Sequence, residues 1–414
     1  MSMQSATQSD VAILRQLAKQ YAEIAAKPVQ DERRDLWRRH NSLKRTRPLV
    51  YVRWLAAWNE HPWSELECED PLFRTQEKFF KQMIFQDTIG DDYIIEPWIT
   101  MRASVWSPEE GHWGVPYGRI QSGEAGGAWK YDPPLKELDD IEKLIEPEHI
   151  IDEKQTKENF ECLSEAIGDI VDIVVDRKPF WSHWWADLST DLGYLRELEQ
   201  VMWDMSDNPE WLHRLLSFMS RGVLKTHDEA EEAGDWRLCD HENQAMAYAG
   251  ELPDPSASPE PVSRDQLWVF GAAQEFALIS PDHHWEFMFQ YQFPIYEKFG
   301  LVAYGCCEDL TKKIDYLRRL PNLRRIAVAP RADVAECAEQ IGEDYVLSYR
   351  PNPADMICCG YDRDHVQNVI RDAMDASRGC HVDITLKDVQ TVQNRPENLR
   401  DWTQAVREVA DEYA

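Results

Sequence analysis

From Pro48 to the end of the chain, short apolar runs alternate with loops and with segments whose apolar residues recur at helical spacing. Continuous apolar runs of this length are typical of parallel strands that are covered on both faces. In the C-terminal half the runs begin at residues 301, 325, 345 and 382, so that 24, 20 and 37 residues separate them, as in repeated strand–helix units. The runs that predict strands are Leu49–Trp54, Tyr93–Trp98, Ile170–Val175, Trp236–Asp240, Leu301–Gly305, Arg325–Ala329, Tyr345–Tyr349 and Val382–Leu386.

Eight strand–helix units close into a TIM (β/α)8 barrel, whereas fewer units would leave an open doubly wound sheet. The segment that follows the first run, Trp54–Trp58, contains no glycine, and this disfavours a dinucleotide-binding sheet. Apolar residues at helical spacing predict a helix over residues 8–45. We therefore expect an α/β fold with a helical extension over residues 1–47 and a barrel domain over residues 48–414.

Two long segments interrupt the strand–helix rhythm. Residues 104–150 are rich in glycine, and residues 250–265 are rich in proline and serine. Long loops that follow barrel strands commonly shape or cover the active site. We expect both segments to be βα-loop insertions of this kind, and contacts within the fold or within an oligomer, such as a homodimer, are the alternative.

The overall charge limits the kinds of partner that the protein can bind. The chain of 414 residues carries 75 acidic and 45 basic side chains and a net charge of −30, which would repel phosphate backbones and acidic membranes. No apolar run approaches the roughly 20 residues of a membrane span, and Met1–Asp10 lacks the basic and apolar regions of a signal peptide. We expect a cytoplasmic protein that acts on a small molecule.

Nine cysteines, an odd number scattered along a long chain, favour free thiols over a disulfide framework. Cys306 and Cys307 follow a predicted strand directly, after Gly305, which allows a sharp turn, and before Glu308. A thiolate there is a soft ligand for zinc, and such a thiolate can accept a methyl group. We predict a metal or thiolate site at Cys306, Cys307 and Glu308, with two small buried apolar residues as the alternative.

Other polar and aromatic residues also lie near the ends of predicted strands, where barrel enzymes place their reacting groups. Imidazole and carboxylate side chains suit proton transfer, and a Lys beside an Asp can hold a substrate carboxylate. The predicted catalytic residues are His241, Glu242, Lys387 and Asp388. The predicted substrate-binding residues are Trp54, Trp98, Trp181, His183, Tyr304 and Arg350.

At these residues the chain resembles the uroporphyrinogen decarboxylase-like superfamily, which includes corrinoid-dependent methyltransferases. The resemblance extends over about residues 165–402 and implies a TIM barrel. In the methyltransferase branch, a His-x-Cys-Gly strand end and a later Cys bind zinc, and a partner protein carries a corrinoid. The segments that carry the resemblance are Asp207–Leu212, Leu278–Pro281, Gly300–Glu308 and Arg395–Leu399.

The chain departs from that zinc-binding pattern at two places. Cys306 matches the first cysteine, but Tyr304 stands where the family has His, and Leu386-Lys387-Asp388 stands where the family has its later Cys. Zinc would therefore need substitute ligands such as Cys307, Glu308 or His241. This pattern indicates a divergent subgroup.

Three hypotheses follow for the function. The first is a methyltransferase that moves a methyl group between a small methylated substrate and a corrinoid protein or a thiol, through a metal or thiolate centre at Cys306. The second is a metal-independent decarboxylase or lyase that uses Arg350, Lys387 and His241 on a carboxylated substrate. The third is a binding protein that keeps the fold without its chemistry.

Overall fold

The computed structural model of the protein describes residues 7–124, 127–182, 186–239 and 245–414 and has an α/β fold. The strands are β1 Leu49–Val52, β2 Trp98–Arg102, β3 Gly118–Gln121, β4 Trp129–Asp132, β5 Asp172–Asp176, β6 Trp268–Gly271, β7 Leu301–Tyr304, β8 Leu323–Val328, β9 Val346–Tyr349 and β10 His381–Leu386. The helices are α1 Gln8–Ala25, α2 Val29–Asn41, α3 Pro71–Ile89, α4 Glu153–Ile167, α5 Ser189–Arg196, α6 Leu198–Asp207, α7 Pro209–Glu232, α8 Pro281–His284, α9 Gln290–Tyr296, α10 Ile314–Leu317, α11 Val334–Ile341, α12 Arg363–Ala376 and α13 Glu397–Asp411.

The strands form a large parallel sheet and two small sheets. The six-stranded sheet has the order β1-β10-β9-β8-β7-β6, and all of its pairs are parallel. Strands β2 and β5 form a separate parallel pair, and β3 and β4 form an antiparallel hairpin within the predicted 104–150 insertion. The predicted parallel α/β architecture is confirmed. Among the described residues, however, the eight parallel strands do not close into one hydrogen-bonded barrel.

Three predicted elements differ from the observed ones. The predicted strand 236–240 is not a strand over residues 236–239, and β6 at Trp268–Gly271 joins the sheet instead. The main-chain oxygen of Cys239 accepts hydrogen bonds from the side chains of Trp98 and Thr100. This apolar segment therefore contacts β2 through side-chain hydrogen bonds and not through a strand ladder.

The second strand begins at Trp98, where the predicted run ended, and the predicted helix 8–45 is divided into α1 and α2. Pro28 directly precedes α2. Proline lacks an N–H group and its ring is incompatible with a helix interior, so it ends a continuous helix at this point. The proposed boundary between residues 47 and 48 stays a prediction.

Successive side chains of a strand point to opposite faces, and in β10 the two faces have different chemistry. Val382, Ile384 and Leu386 lie in the main apolar core, where helices cover the sheet. The alternate residues Asp383 and Thr385 are buried among polar partners instead. The large sheet therefore has an apolar face toward the helices and a partly polar face on the other side.

Asp383 connects the polar face of the sheet to the N-terminal helices. Its carboxylate accepts hydrogen bonds from Arg325 at 2.7 Å and Ser348 at 2.8 Å, and it lies 3.2 Å from His40 of α2. Burial opposes ionisation of Asp383, but the charge of Arg325 and these hydrogen bonds hold the pKa of the carboxyl well below its usual range. Arg325 also donates to Asn41, so α2 is fixed to the sheet by buried charge.

In the ranges that the structure describes, no helix is both long enough and apolar enough to cross a membrane.

Replacement of Asp383 by Ala should lower the free energy of unfolding by about 3–5 kcal/mol, because Arg325 is then left buried without its counter-charge. Chemical denaturation measures this change. The matched control is Asp375→Ala, which removes the exposed contacts of this carboxylate with Arg378 and Tyr413 and should change stability far less. Equal effects of the two substitutions would contradict the anchoring role of Asp383.

Candidate functional site

The polar groups of the candidate site meet beyond the carboxyl ends of β7, β9 and β10. The chain leaves β7 at Gly305, whose φ is +102°. A Cβ at this position would lie 2.6 Å from Leu310 and 2.9 Å from Ala327, and a side chain would also be strained at this φ. Glycine is therefore required for the turn that carries the two following cysteines over the end of the sheet.

The two cysteines share one cation. The Sγ atoms of Cys306 and Cys307 are 3.5 Å apart, and both thiols are free. The Nζ atom of Lys387, directly after β10, lies 2.7 Å from the Cys306 sulfur and 3.2 Å from the Cys307 sulfur. Cys306 and Lys387 are buried, whereas Cys307 is exposed. This arrangement favours a negative charge on the sulfur pair.

Two buried side chains hold the backbone of the cysteine turn. Arg350 donates from one guanidinium nitrogen to the main-chain oxygens of Gly305 and Cys306, each at 2.9 Å. Glu308 accepts from the main-chain N–H of Cys306 and of Ala273, each at 2.8 Å. Both residues therefore position the turn through its backbone and do not contact the sulfurs by these bonds.

The surroundings make Cys306 acidic for a thiol. Burial raises its pKa, but the hydrogen bond with Cys307 and the charges of Lys387 and Arg350 outweigh burial and lower the pKa to about 7. The same hydrogen bond, together with burial and the negative Cys306, raises the pKa of Cys307. The pair thus loses its first proton easily and holds the second one.

Asp388 joins the sulfur pair to a neighbouring cavity. Its carboxylate accepts a hydrogen bond from the Cys307 thiol at 3.3 Å and pairs with Lys387 at 2.9 Å. Burial raises the pKa of Asp388, but the charge of Lys387 and its hydrogen bonds lower the pKa overall. Asp388 also lines the cavity, so the carboxylate lies between the thiols and this space.

The cavity has a volume of about 320 Å³, which is near the lower end for small-molecule sites. Arg53 lines it, at the end of β1, together with Glu96. Glu96 forms an ion pair with Arg34 at 2.7 Å and accepts a hydrogen bond from the Tyr248 hydroxyl. The aromatic residues in the wall are Tyr21, Tyr51, Phe79, Tyr93 and Trp98.

The structure brings together part of the predicted site. Cys306, Cys307, Lys387 and Asp388 form one cluster. Trp98 lines the cavity. Arg350 and Glu308 lie beside the cluster and hold its backbone. His183, His241 and Glu242 lie outside the described residues, so their roles stay predictions.

Besides Arg350, three predicted substrate-binding residues do not line this cavity. Trp54 donates to Gln86, Trp181 donates to Asp191, and the hydroxyl of Tyr304 donates to Gln292. All three are buried in the main apolar core. The strand register explains Tyr304, which pairs with Ile326 on the helix-facing side of the sheet and not on the side of Lys387.

Sequence reasoning missed the contribution of the N-terminal segment. Tyr21 of α1 lines the cavity and donates its hydroxyl to the main-chain oxygen of Trp98. In the sequence, Tyr21 appears only as one apolar position of a helix. Its proximity to β2 is a tertiary contact, for which the local pattern carries no signal.

The predicted zinc ligands Cys306, Cys307 and Glu308 lie in or directly beside the sulfur cluster. In the part of the chain that the structure describes, no three His, Cys, Asp or Glu side chains form a group that could hold a metal ion. The ammonium group of Lys387 lies against both sulfurs, and Glu308 is bound to backbone amides. Cys306, Cys307 and Glu308 do not fit zinc on their own. A set that includes His241 stays a prediction.

Comparisons with known proteins add little to this geometry. No family model matches the chain, and no curated protein matches it. One similar solved structure is a methyltransferase from Methanosarcina mazei. The two chains are 14% identical with a TM-score of 0.37, over 62% of this chain and 63% of that chain, which is less than two thirds of its length. At these values, no residue role and no activity carries over from one protein to the other.

The thiolate of Cys306 should form with a midpoint near pH 7, as measured by the ultraviolet absorbance that is lost in a Cys306→Ser variant. Removal of the cation in Lys387→Met should raise this midpoint by at least about one pH unit, because the thiolate loses its nearest positive charge. The control Lys312→Met removes an exposed lysine that is paired with Glu336. An unchanged midpoint in Lys387→Met would contradict the assigned role of Lys387.

Proposed function

We propose that this protein is an enzyme of the methyltransferase type in which the Cys306 thiolate accepts a methyl group from a small methylated substrate. The observation that carries the proposal is the contact of 2.7 Å between the Lys387 ammonium and the Cys306 sulfur at the end of the parallel strands. A thiolate with a pKa near neutrality combines a large reactive fraction with good nucleophilicity. Nucleophilic catalysis by cysteine requires this activation.

In the proposed step, the Cys306 sulfur attacks the methyl carbon of the substrate. A carbon–sulfur bond forms as the bond from the methyl carbon to its carrier atom breaks, and the carrier leaves with the electron pair. No proton is transferred to or from Cys306, because its sulfur is already ionised. In the second step, an external thiolate attacks the same carbon, and the electron pair of the broken bond returns to Cys306, where Lys387 stabilises it.

The neighbouring groups have supporting roles in this mechanism. Cys307 keeps its single proton and can donate it either to the Cys306 sulfur or to the Asp388 carboxylate, both of which lie within hydrogen-bond distance. Arg350 and Glu308 fix the turn, so that the sulfur does not have to be reoriented for the reaction. These steps are written without zinc or a corrinoid. Zinc, a corrinoid and a corrinoid protein partner stay predictions that follow from the resemblance to the superfamily.

The two alternative functions have less support from the geometry. The lyase hypothesis relied on Arg350 and Lys387 to bind a substrate carboxylate, but Arg350 is bound to backbone oxygens and Lys387 to the sulfurs. A binding protein without turnover would not require an activated thiolate. The free cysteines agree with a reducing cytoplasm, which stays part of the proposal. The predicted homodimer also stays a proposal.

Incubation with a panel of methylated amines, sulfonium compounds and methoxy-aromatics should add the mass of one CH2 unit to Cys306, as located by peptide mass spectrometry. Cys306→Ser should lower the rate of methyl transfer by roughly 10³-fold or more, because the nucleophile is lost. The control is Cys359→Ser, which removes another exposed thiol and should leave the rate unchanged. Methyl transfer at the wild-type rate by Cys306→Ser would refute the proposed nucleophile.

A further inference from the structure

We propose that the cavity beside Asp388 binds a small zwitterion that carries a carboxylate and a methylated cation, with the carboxylate on Arg53 and the cation against the aromatic wall. This inference rests on the proposed function, since it names the class of methyl donor. It uses a different part of the molecule, namely the cavity and not the sulfur pair.

The charges in the described part of the cavity wall are not balanced. Among the described residues, the lining carboxylates already have cationic partners, Glu96 with Arg34 and Asp388 with Lys387. The guanidinium of Arg53 forms no ion pair or hydrogen bond with any residue that the structure describes. Within the described residues, this leaves the guanidinium group of Arg53 in the cavity wall without a counter-charge, which favours a ligand with an anionic group. A carboxylate matches the paired donors of a guanidinium group.

Aromatic side chains form much of the cavity wall. Of the described residues, five aromatic ones line this cavity of about 320 Å³, among them Tyr93 and Trp98. Aromatic walls of this kind bind methylated cations, because the negative face of each ring attracts a positive group that is poorly hydrated. The small volume limits the ligand to a compact molecule.

The nature of the leaving group also favours a methylated cation. In the proposed step the carrier atom departs with the electron pair of the broken bond. A methylated ammonium or sulfonium group departs as a neutral amine or sulfide, whereas a methoxy-aromatic would depart as a charged phenolate. A methylated cation therefore suits attack by the Cys306 thiolate better than a methyl ether does.

The position of Asp388 connects the cavity to the chemistry. Its side chain lines the cavity, and its carboxylate contacts Cys307, whose sulfur is 3.5 Å from that of Cys306. A ligand that is held by Arg53 at the end of β1 would extend its cationic end along the aromatic wall toward this carboxylate.

Calorimetric titration of the Cys306→Ser protein tests binding apart from methyl transfer. Three probes differ by one feature each: N,N,N-trimethylglycine carries both charges, choline lacks the carboxylate, and 3,3-dimethylbutanoate replaces the cation by a neutral carbon of the same shape. Trimethylglycine should bind at least about tenfold more tightly than either single-charge probe. Equal binding of 3,3-dimethylbutanoate would overturn the proposal.

Substitutions of Arg53 test the carboxylate contact. Arg53→Met should weaken the binding of trimethylglycine by about tenfold or more and leave the binding of choline unchanged. Arg53→Lys should restore part of the lost affinity. The matched control Arg378→Met, at an exposed arginine, should have no effect. Unchanged binding of trimethylglycine by Arg53→Met would overturn the assignment, as would tighter binding of 4-methoxybenzoate than of trimethylglycine.

The outcomes for the two proposals are distinguishable. Binding of trimethylglycine that depends on Arg53, without methylation of Cys306 in the wild-type protein, supports the zwitterion site and refutes the proposed nucleophile. Methylation of Cys306 by other donors, without binding of trimethylglycine, supports the nucleophile and overturns the zwitterion site.

Discussion

A single lysine ammonium between two sulfur atoms is the interaction on which the rest of the site depends. Lys387 is buried at the end of β10, where an unpaired positive charge would be unfavourable. The Cys306 thiolate and Asp388 supply its counter-charges, and Lys387 in turn makes that thiolate accessible near neutral pH. The cation and the thiolate therefore stabilise each other, and the glycine turn is the backbone feature that allows them to meet.

The alternation of side chains along β10 explains how one face of the sheet serves two purposes. Asp383 and Thr385 lie in the buried polar network that holds α2 against the sheet, and Lys387, two residues further, reaches the sulfur pair. Val382, Ile384 and Leu386 pack against the helices on the other face. A shift of one residue in register would place the lysine in the apolar core, so the register of this strand sets both stability and chemistry.

The sequence was sufficient to predict the parallel α/β architecture and the grouping of Cys306, Cys307, Lys387 and Asp388, because the carboxyl ends of neighbouring parallel strands meet at one edge. It was not sufficient to predict the orientation of Tyr304, which is equally close to a strand end but points to the helices. A list of strand ends ignores the alternation of faces, and the correct face depends on the register. The strand β6 and the contact of Tyr21 with β2 depend on tertiary packing, which local patterns do not contain.

We infer that one of the two neighbouring thiols, that of Cys306, is ionised because Lys387 lies against it. Nuclear magnetic resonance of protein with ¹³C-labelled cysteine, in which the Cβ signals of Cys306 and Cys307 are assigned by single substitutions, tests this claim most directly. Just above neutral pH, we expect the Cys306 carbon to have the shift of a thiolate and the Cys307 carbon to have that of a thiol. Thiol shifts for both carbons at that pH, in protein with Lys387 intact, would contradict it.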